Sequence, residues 1–326
     1  MSETIVYLNG QFVPESQAHI SIYDRAVVLG ATVTEMTRTF RHQPFRLEDH
    51  VDRLFRSLHY CGFDIGISKQ QLIDITLRVA EHNCALIDAE DDVGIVHFAT
   101  PGEFHEYVGS AGRSPRTTPT ICVHSFPIPF HYFDEKIRHG SHAVTPSIRH
   151  IPVQCIDPKM KCRSRMHYFL AERQAQQVDP DAICLMLDLD GNVTETSGSN
   201  FLIIERDTLV SAPRHLILPG ISRATVIELA SQMNLGFEER LIQVHDVVNA
   251  DEAISTTTPY CLCPVTRING QTIGDGKPGA VYHRLAEAWS ERVGMDIVAQ
   301  ITNGAARTRQ AQEAVAKKTA TATATR

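Results

Sequence analysis

Short runs of alternating apolar and polar residues, each closed by a turn signal, set the rhythm of this chain. Tyr7-Leu8-Asn9-Gly10-Gln11-Phe12-Val13 reads as a hairpin, because Asn-Gly supplies the positive φ angles of a two-residue type I′ turn. Similar signals recur at Asp190-Gly191 and Asn269-Gly270, so sheets are predicted in both halves. Between them the period changes. Leu47, Val51, Leu54 and Leu58 recur at i, i+4, i+7 and i+11, the stripe of an amphipathic helix, and Arg53 sits beside it. A second helix is predicted from Ser68, with Gln71 completing a capping box and Leu72, Ile75 and Val79 turned inward. Residues 93–100 and 120–126 read as strands, and residues 101–119, rich in Gly, Pro, Ser and Arg, read as a long exposed loop.

Pro127-Ile128-Pro129-Phe130 interrupts regular structure, since each proline fixes φ and removes a backbone donor. At 326 residues the chain suits two domains better than one. The pattern divides it into a small domain at 1–126, a linker at 127–134 and a larger domain at 135–302. The tail, 303–326, ends in Thr-Ala repeats, is low in large apolar residues and is predicted to be disordered.

Apolar residues at 43% and charged residues at 21% describe an ordinary globular protein, and a net charge of -7 argues against a general nucleic-acid binder. No apolar run approaches the roughly 20 residues of a membrane span, and residues 1–10 lack a basic segment followed by an apolar one. The eight cysteines are scattered without a CxxC pair, which suits reduced thiols, so a cytoplasmic location is expected. Cys261 and Cys263 would share one face of a strand, and His139 and His142 one face of a helix. Neither pair is completed into a ligand set, so no metal is expected.

The chemistry gathers in residues 161–200. A lysine can condense with an aldehyde, and a carboxylate can hold a pyridine nitrogen protonated; these are the groups that pyridoxal phosphate chemistry needs. Glu195 is the candidate carboxylate, while Lys159 and Lys161 compete for the amine, both on one face of a predicted strand. Farther along, Ile217-Leu218-Pro219-Gly220-Ile221-Ser222-Arg223 opens a helix in which Ala224, Ile227 and Ala230 recur every third position, with Val226 and Leu229 broadening the face. Its amino terminus offers free N–H groups to a phosphate.

The run Lys161-Cys162-Arg163-Ser164-Arg165, followed by Phe169-Leu170-Ala171, then Leu187-Asp188-Leu189-Asp190-Gly191-Asn192-Val193-Thr194-Glu195 and Gly198-Ser199-Asn200-Phe201, resembles the class IV aminotransferases. With His50-Val51-Asp52-Arg53-Leu54 and Ser255-Thr256-Thr257-Thr258-Pro259, the resemblance extends from the amino terminus to about Trp289. It implies an α+β, fold type IV enzyme with a small α/β amino-terminal domain and a larger domain containing a pseudo-barrel sheet. It further implies pyridoxal 5'-phosphate as cofactor, an amino donor and a 2-oxo acid as small-molecule partners, and a homodimer or larger homo-oligomer.

The resemblance selects Lys161 as the Schiff-base lysine from its offset to Leu170-Ala171, and Glu195 as the partner of the ring nitrogen. It places Arg53, Ile221, Ser222 and Thr258, or Thr257 on a shifted alignment, around the phosphate. Tyr168 is displaced from the spacing of the family's tyrosine, and its role stays open. So do those of Arg163 and Arg165, which sit near cofactor or substrate or are solvated. Thr34, residues 96–101 and Pro259 depart from the family pattern where relatives recognise substrate, leaving branched-chain, D-amino-acid and simple amine donors open. An aminodeoxychorismate lyase and a noncatalytic relative are the alternatives on the same scaffold.

Overall fold

The structure is a computed structural model that describes residues 3–110, 112, 114 and 118–324. Its first sheet holds β1 (Ile5–Leu8), β2 (Gln11–Pro14), β3 (Val33–Phe40), β4 (Gln43–Pro44), β5 (Val93–Thr100) and β6 (Thr120–Pro127). They run antiparallel in the order β2-β1-β6-β5-β3-β4. Asn9 and Gly10, at φ 52° and 92°, make the first turn as the sequence requires. The short helix α1 (Arg25–Leu29) precedes β3, and α2 (Leu47–Cys61) and α3 (Lys69–Cys84) pack on the sheet.

On α2 the predicted stripe Leu47, Val51, Leu54 and Leu58 is buried against Leu72 and Val79 of α3 and Ile95 and Val123 of the sheet. The Ser68–Gln71 capping box forms. Within the stretch expected to be a loop, residues 105–110 fold into α4 (His105–Ser110), with Val108 buried. Residues 111, 113 and 115–117 of that stretch lie outside the described residues.

After the proline-rich link come α5 (Asp134–His139) and a second sheet: β7 (Ser141–Val144), β8 (Ile183–Leu187), β9 (Val193–Thr196), β10 (Asn200–Glu205), β11 (Thr208–Ser211), β12 (Gly236–Glu239), β13 (Glu252–Thr257), β14 (Cys261–Ile268) and β15 (Gln271–Thr272). Its path is β12-β11-β10-β13-β14-β7-β8-β9, and β9 pairs back to β10 at Glu195 and Asn200. Six strands thereby close on themselves, as the pseudo-barrel expectation required. Closure brings Glu195 and Asn200 side by side.

The helices α6 (Met166–Val178), α7 (Ile221–Gln232), α8 (Val244–Asn249) and α9 (Ala280–Val293) surround this sheet. On α7 the buried apolar residues are Ile221, Val226, Leu229 and Ala230, whereas Ala224 and Ile227 are half-buried, so the core face is rotated from the every-third-residue stripe. His139 ends α5 while His142 lies in β7 bonded to Asp179, so the two share no helical face. Cys261 and Cys263 are both buried in β14, and among the described residues no cluster suits a metal ion.

The tail differs from expectation. Residues 297–324 form one helix, α10 (Ile297–Ala324). Ile297, Ile301 and Ala305 recur every fourth position as its buried stripe, and a side chain at Gly304 would meet the Phe130 ring at 2.4 Å. At Gly304 and Ala305 the lack of large side chains lets the helix pack closely, so low apolar bulk there is no sign of disorder. From α10, Gln300 accepts from Arg38 at 2.7 Å and donates to Asp92 at 2.6 Å, while Arg38 donates to the Pro259 carbonyl at 2.8 Å. One buried polar network thus ties β3, the β13–β14 turn and the carboxy-terminal helix together.

Candidate active site

A cavity of about 240 Å³ opens between the two sheets, and all seven predicted site residues, Arg53, Lys161, Glu195, Ile221, Ser222, Thr257 and Thr258, line it. The lysine is delivered by an extended segment rather than by a strand of the second sheet. Cys162 bridges Val33, with the Thr34 N–H donating to the Lys161 carbonyl and the Arg163 N–H to the Thr32 carbonyl, both at 2.9 Å. The amino-terminal sheet therefore holds the lysine segment. Lys159 lies in the preceding turn, exposed and paired with Asp157 at 3.1 Å, and does not reach the cavity. Burial and the Arg53 guanidinium push the Lys161 amine down to about 8, against the opposing pull of Glu35.

Glu195 is buried at the junction where the barrel closes. Its Oε2 accepts from Asn200 Nδ2 at 2.9 Å and from the Leu218 N–H at 3.1 Å, and its Oε1 accepts from the Tyr168 hydroxyl at 3.2 Å. His150 Nε2 lies 2.9 Å from the same hydroxyl. Tyr168, left without a role by its spacing, orients the carboxylate, and burial followed by the Glu195 charge raises its own phenol well above the usual range.

The opposite side of the site is cationic. Arg53, on the polar flank of α2, donates to Glu35 Oε2 and Oε1 at 2.7 Å each and to the Pro219 carbonyl at 2.8 Å, leaving two of its five N–H groups. His50 Nδ1 lies 3.0 Å from Glu35 Oε1. The first turn of α7 carries no side-chain cap, so the dipole end and the N–H groups of Ile221 and Ser222 remain for an anion. Gly220 admits Asn200 to this corner, since a Cβ there would stand 2.0 Å from Asn200 Oδ1. In the β13–β14 turn, Thr257 Oγ1 donates to the Gly198 carbonyl at 2.7 Å and Thr258 Oγ1 to the Met36 carbonyl at 3.4 Å. Both threonines line the cavity with hydroxyls that already have protein partners.

Sequence reasoning missed Glu35, His50, His150 and the anchoring role of Asn200. A signal existed for the first two. His50, Arg53 and Ser57 recur at i, i+3 and i+7, a buried polar stripe beside the apolar one, and Glu35 lies on β3, against which α2 packs.

A sequence model of the class IV amino-transferase family matches residues 32–268. A protein of Methanocaldococcus jannaschii, provisionally named a branched-chain-amino-acid aminotransferase, is 32% identical over 289 residues, covering 88% of this chain and 95% of that one. A D-alanine aminotransferase of Bacillus licheniformis is 28% identical over 287 residues, covering 87% and 95%. Among solved structures, a T.th. branched-chain amino acid aminotransferase with pyridoxamine 5'-phosphate superposes with a TM-score of 0.79 at 26% identity, over 90% of this chain and 95% of that one.

Proposed function

The chain belongs to the class IV aminotransferases, pyridoxal-phosphate-dependent enzymes, and from that premise we propose that Lys161 is its catalytic lysine and the 240 Å³ cavity its active site. One observation carries the reading: an amine lowered to about 8 shares a cavity with a carboxylate held by three donors and with an uncapped helix start.

The residues fit the cofactor. The first turn of α7 and the two free N–H groups of Arg53 suit a phosphate, with Ser222 and the Thr257–Thr258 turn beside them. Glu195 suits a protonated ring nitrogen, because its three donors hold the carboxylate in place. When bound, pyridoxal phosphate supplies an aldehyde that condenses with amines and a ring that accepts an electron pair. Lys161 Nζ would then take up the proton that leaves the substrate carbon and release it again, a task that favours an amine titrating near the working pH. Arg53 and α7 keep the phosphate end fixed while that proton moves.

The substrates are an amino acid and a 2-oxo acid. We read the protein as a homodimer or larger assembly, supported by exposed Val27, Leu29, Met166, Phe169 and Leu170; Gly30, which ends α1, accepts from Ser164 at 2.7 Å, so the two exposed groups are neighbours. A cytoplasmic setting is supported by eight free thiols. The test is steady-state kinetics with varied amino acid and 2-oxo acid. Parallel double-reciprocal lines are expected from a ping-pong transfer; consumption of the amino acid without any need for an acceptor would overturn the reading.

A further inference from the structure

The segment after Lys161 carries two guanidinium groups that the reaction just described does not use. Arg165 lines the cavity, half-buried, with its guanidinium 5.2 Å above the Tyr168 ring and one N–H on the Ser197 carbonyl. Arg163 also lines the cavity and is exposed. Neither forms an ion pair among the described residues.

The acids nearby are already committed. Glu35 is matched to Arg53, Asp157 to Lys159, and Glu195 to Tyr168, Asn200 and Leu218. Two neighbouring cations without a counter-charge raise each other's free energy, and a partly buried one gains most from an anion that arrives with a ligand. The phosphate is served elsewhere, by Arg53 and the start of α7. Arg165 instead stands at the Ser197–Gly198 turn, which Thr257 joins to the β13–β14 turn. That second turn has no N–H to offer at Pro259.

We propose that Arg165 grips the α-carboxylate common to the amino acid donor and the 2-oxo acid acceptor, with Arg163 at the cavity mouth adding attraction for the same anion. This rests on the aminotransferase reading and narrows it, because it selects carboxylate-bearing donors over simple amines. Stacking on Tyr168 and the bond to Ser197 hold the guanidinium plane, leaving four N–H groups for a planar, two-point contact with a carboxylate. The residue is a specificity determinant. It moves no proton.

The full chain loaded with pyridoxal phosphate is compared with Arg165→Gln and Arg165→Lys. Calorimetry measures binding of 4-methylvaleric acid, an unreactive carboxylate, and of its amide. In Arg165→Gln the Kd of the acid is expected to rise about 10- to 100-fold, the range for a lost hydrogen bond between charged groups. The Kd of the amide is expected to change less than about threefold, with Arg165→Lys intermediate for the acid. KM for the amino acid should rise with the acid's Kd while kcat falls much less, so preference for the amino acid over the amine of the same skeleton collapses. An unchanged Kd for the acid overturns the proposal. Equal weakening of acid and amide overturns it in favour of simple packing, and loss of bound cofactor without a change in acid binding overturns it in favour of a phosphate contact. Arg165-dependent binding of the acid in a chain that transfers no amino group would instead defeat the aminotransferase reading and leave the grip standing.

Discussion

Glu35 and Arg53 meet edge to edge, with Glu35 Oε1 and Oε2 each accepting a guanidinium N–H at 2.7 Å. The carboxylate is completely buried and the arginine nearly so. The pair joins β3 to α2, and His50 completes the triad from the same helix. The phosphate contact proposed for Arg53 would need a group that fixes the guanidinium plane beforehand, and Glu35 fixes it.

Removing that carboxylate should therefore cost both stability and cofactor affinity. Glu35→Gln leaves Arg53 without its counter-charge, and breaking such a pair costs about 3–5 kcal/mol, measurable by denaturant unfolding. Burial alone would raise the Glu35 carboxyl, but Arg53 and His50 outweigh it and hold it well below the ordinary range. A carboxyl lowered by folding contributes stability that is complete above its unfolded value of about 4.3 and is lost as pH falls through the folded value. Acid unfolding of the variant should lack this contribution; matching acid profiles for the two proteins would show that the pair adds nothing.

Lys161 gives a slope of the same sign in an alkaline window. Its amine is lowered to about 8 in the fold, so between about pH 8 and its unfolded value of about 10.4 the unfolded chain binds more protons. Stability of the cofactor-free chain should gain a rising component across that window, because a depressed lysine is charged in the unfolded chain and neutral in the folded one. Lys161→Met should remove the component. Unfolding midpoints at several alkaline pH values test this, and a slope that survives in the variant would refute it.

Gly220 is a steric prediction. Its φ of −64° is ordinary, so alanine brings no backbone strain, but the added Cβ would stand 2.0 Å from Asn200 Oδ1. Asn200 must shift, and its Nδ2 bonds to Glu195 and to the Leu218 carbonyl weaken with it. A lost bond to a charged group is worth about 1.5–3 kcal/mol, so cofactor affinity should fall by roughly tenfold or more in Gly220→Ala. Equilibrium dialysis would show it; undiminished affinity would mean the corner is softer than the packing implies.

What can be read from the chain follows the physics of each signal. The apolar stripe on α2 and the Asn9-Gly10 turn are local patterns with a single solution, and they appear as expected. The polar triad of Glu35, His50 and Arg53 is assembled from a strand and a helix, and hydrophobic period carries no instruction for burying charge. Lys159 and Lys161 are equivalent by period, because what separates them is a turn held by Asp157 and the bridge from Cys162 to Val33. Tyr168 and His150 meet across 18 positions only after α6 docks. The tail hides its helix because a count of large apolar residues does not register the close approach that the bare Gly304 allows to Phe130.

The proposed chemistry depends above all on Lys161, and not Lys159, being the reactive amine. The visible absorption of the chain reconstituted with pyridoxal phosphate, recorded before and after an amino acid is added, tests it most directly in the wild type, Lys161→Ala and Lys159→Ala. The wild type and Lys159→Ala should show a band that the amino acid converts. Lys161→Ala should show a different spectrum, with conversion slowed at least about 100-fold, at the low end of what loss of a positioned acid–base group removes. Conversion at the wild-type rate in Lys161→Ala, with loss in Lys159→Ala, would contradict it.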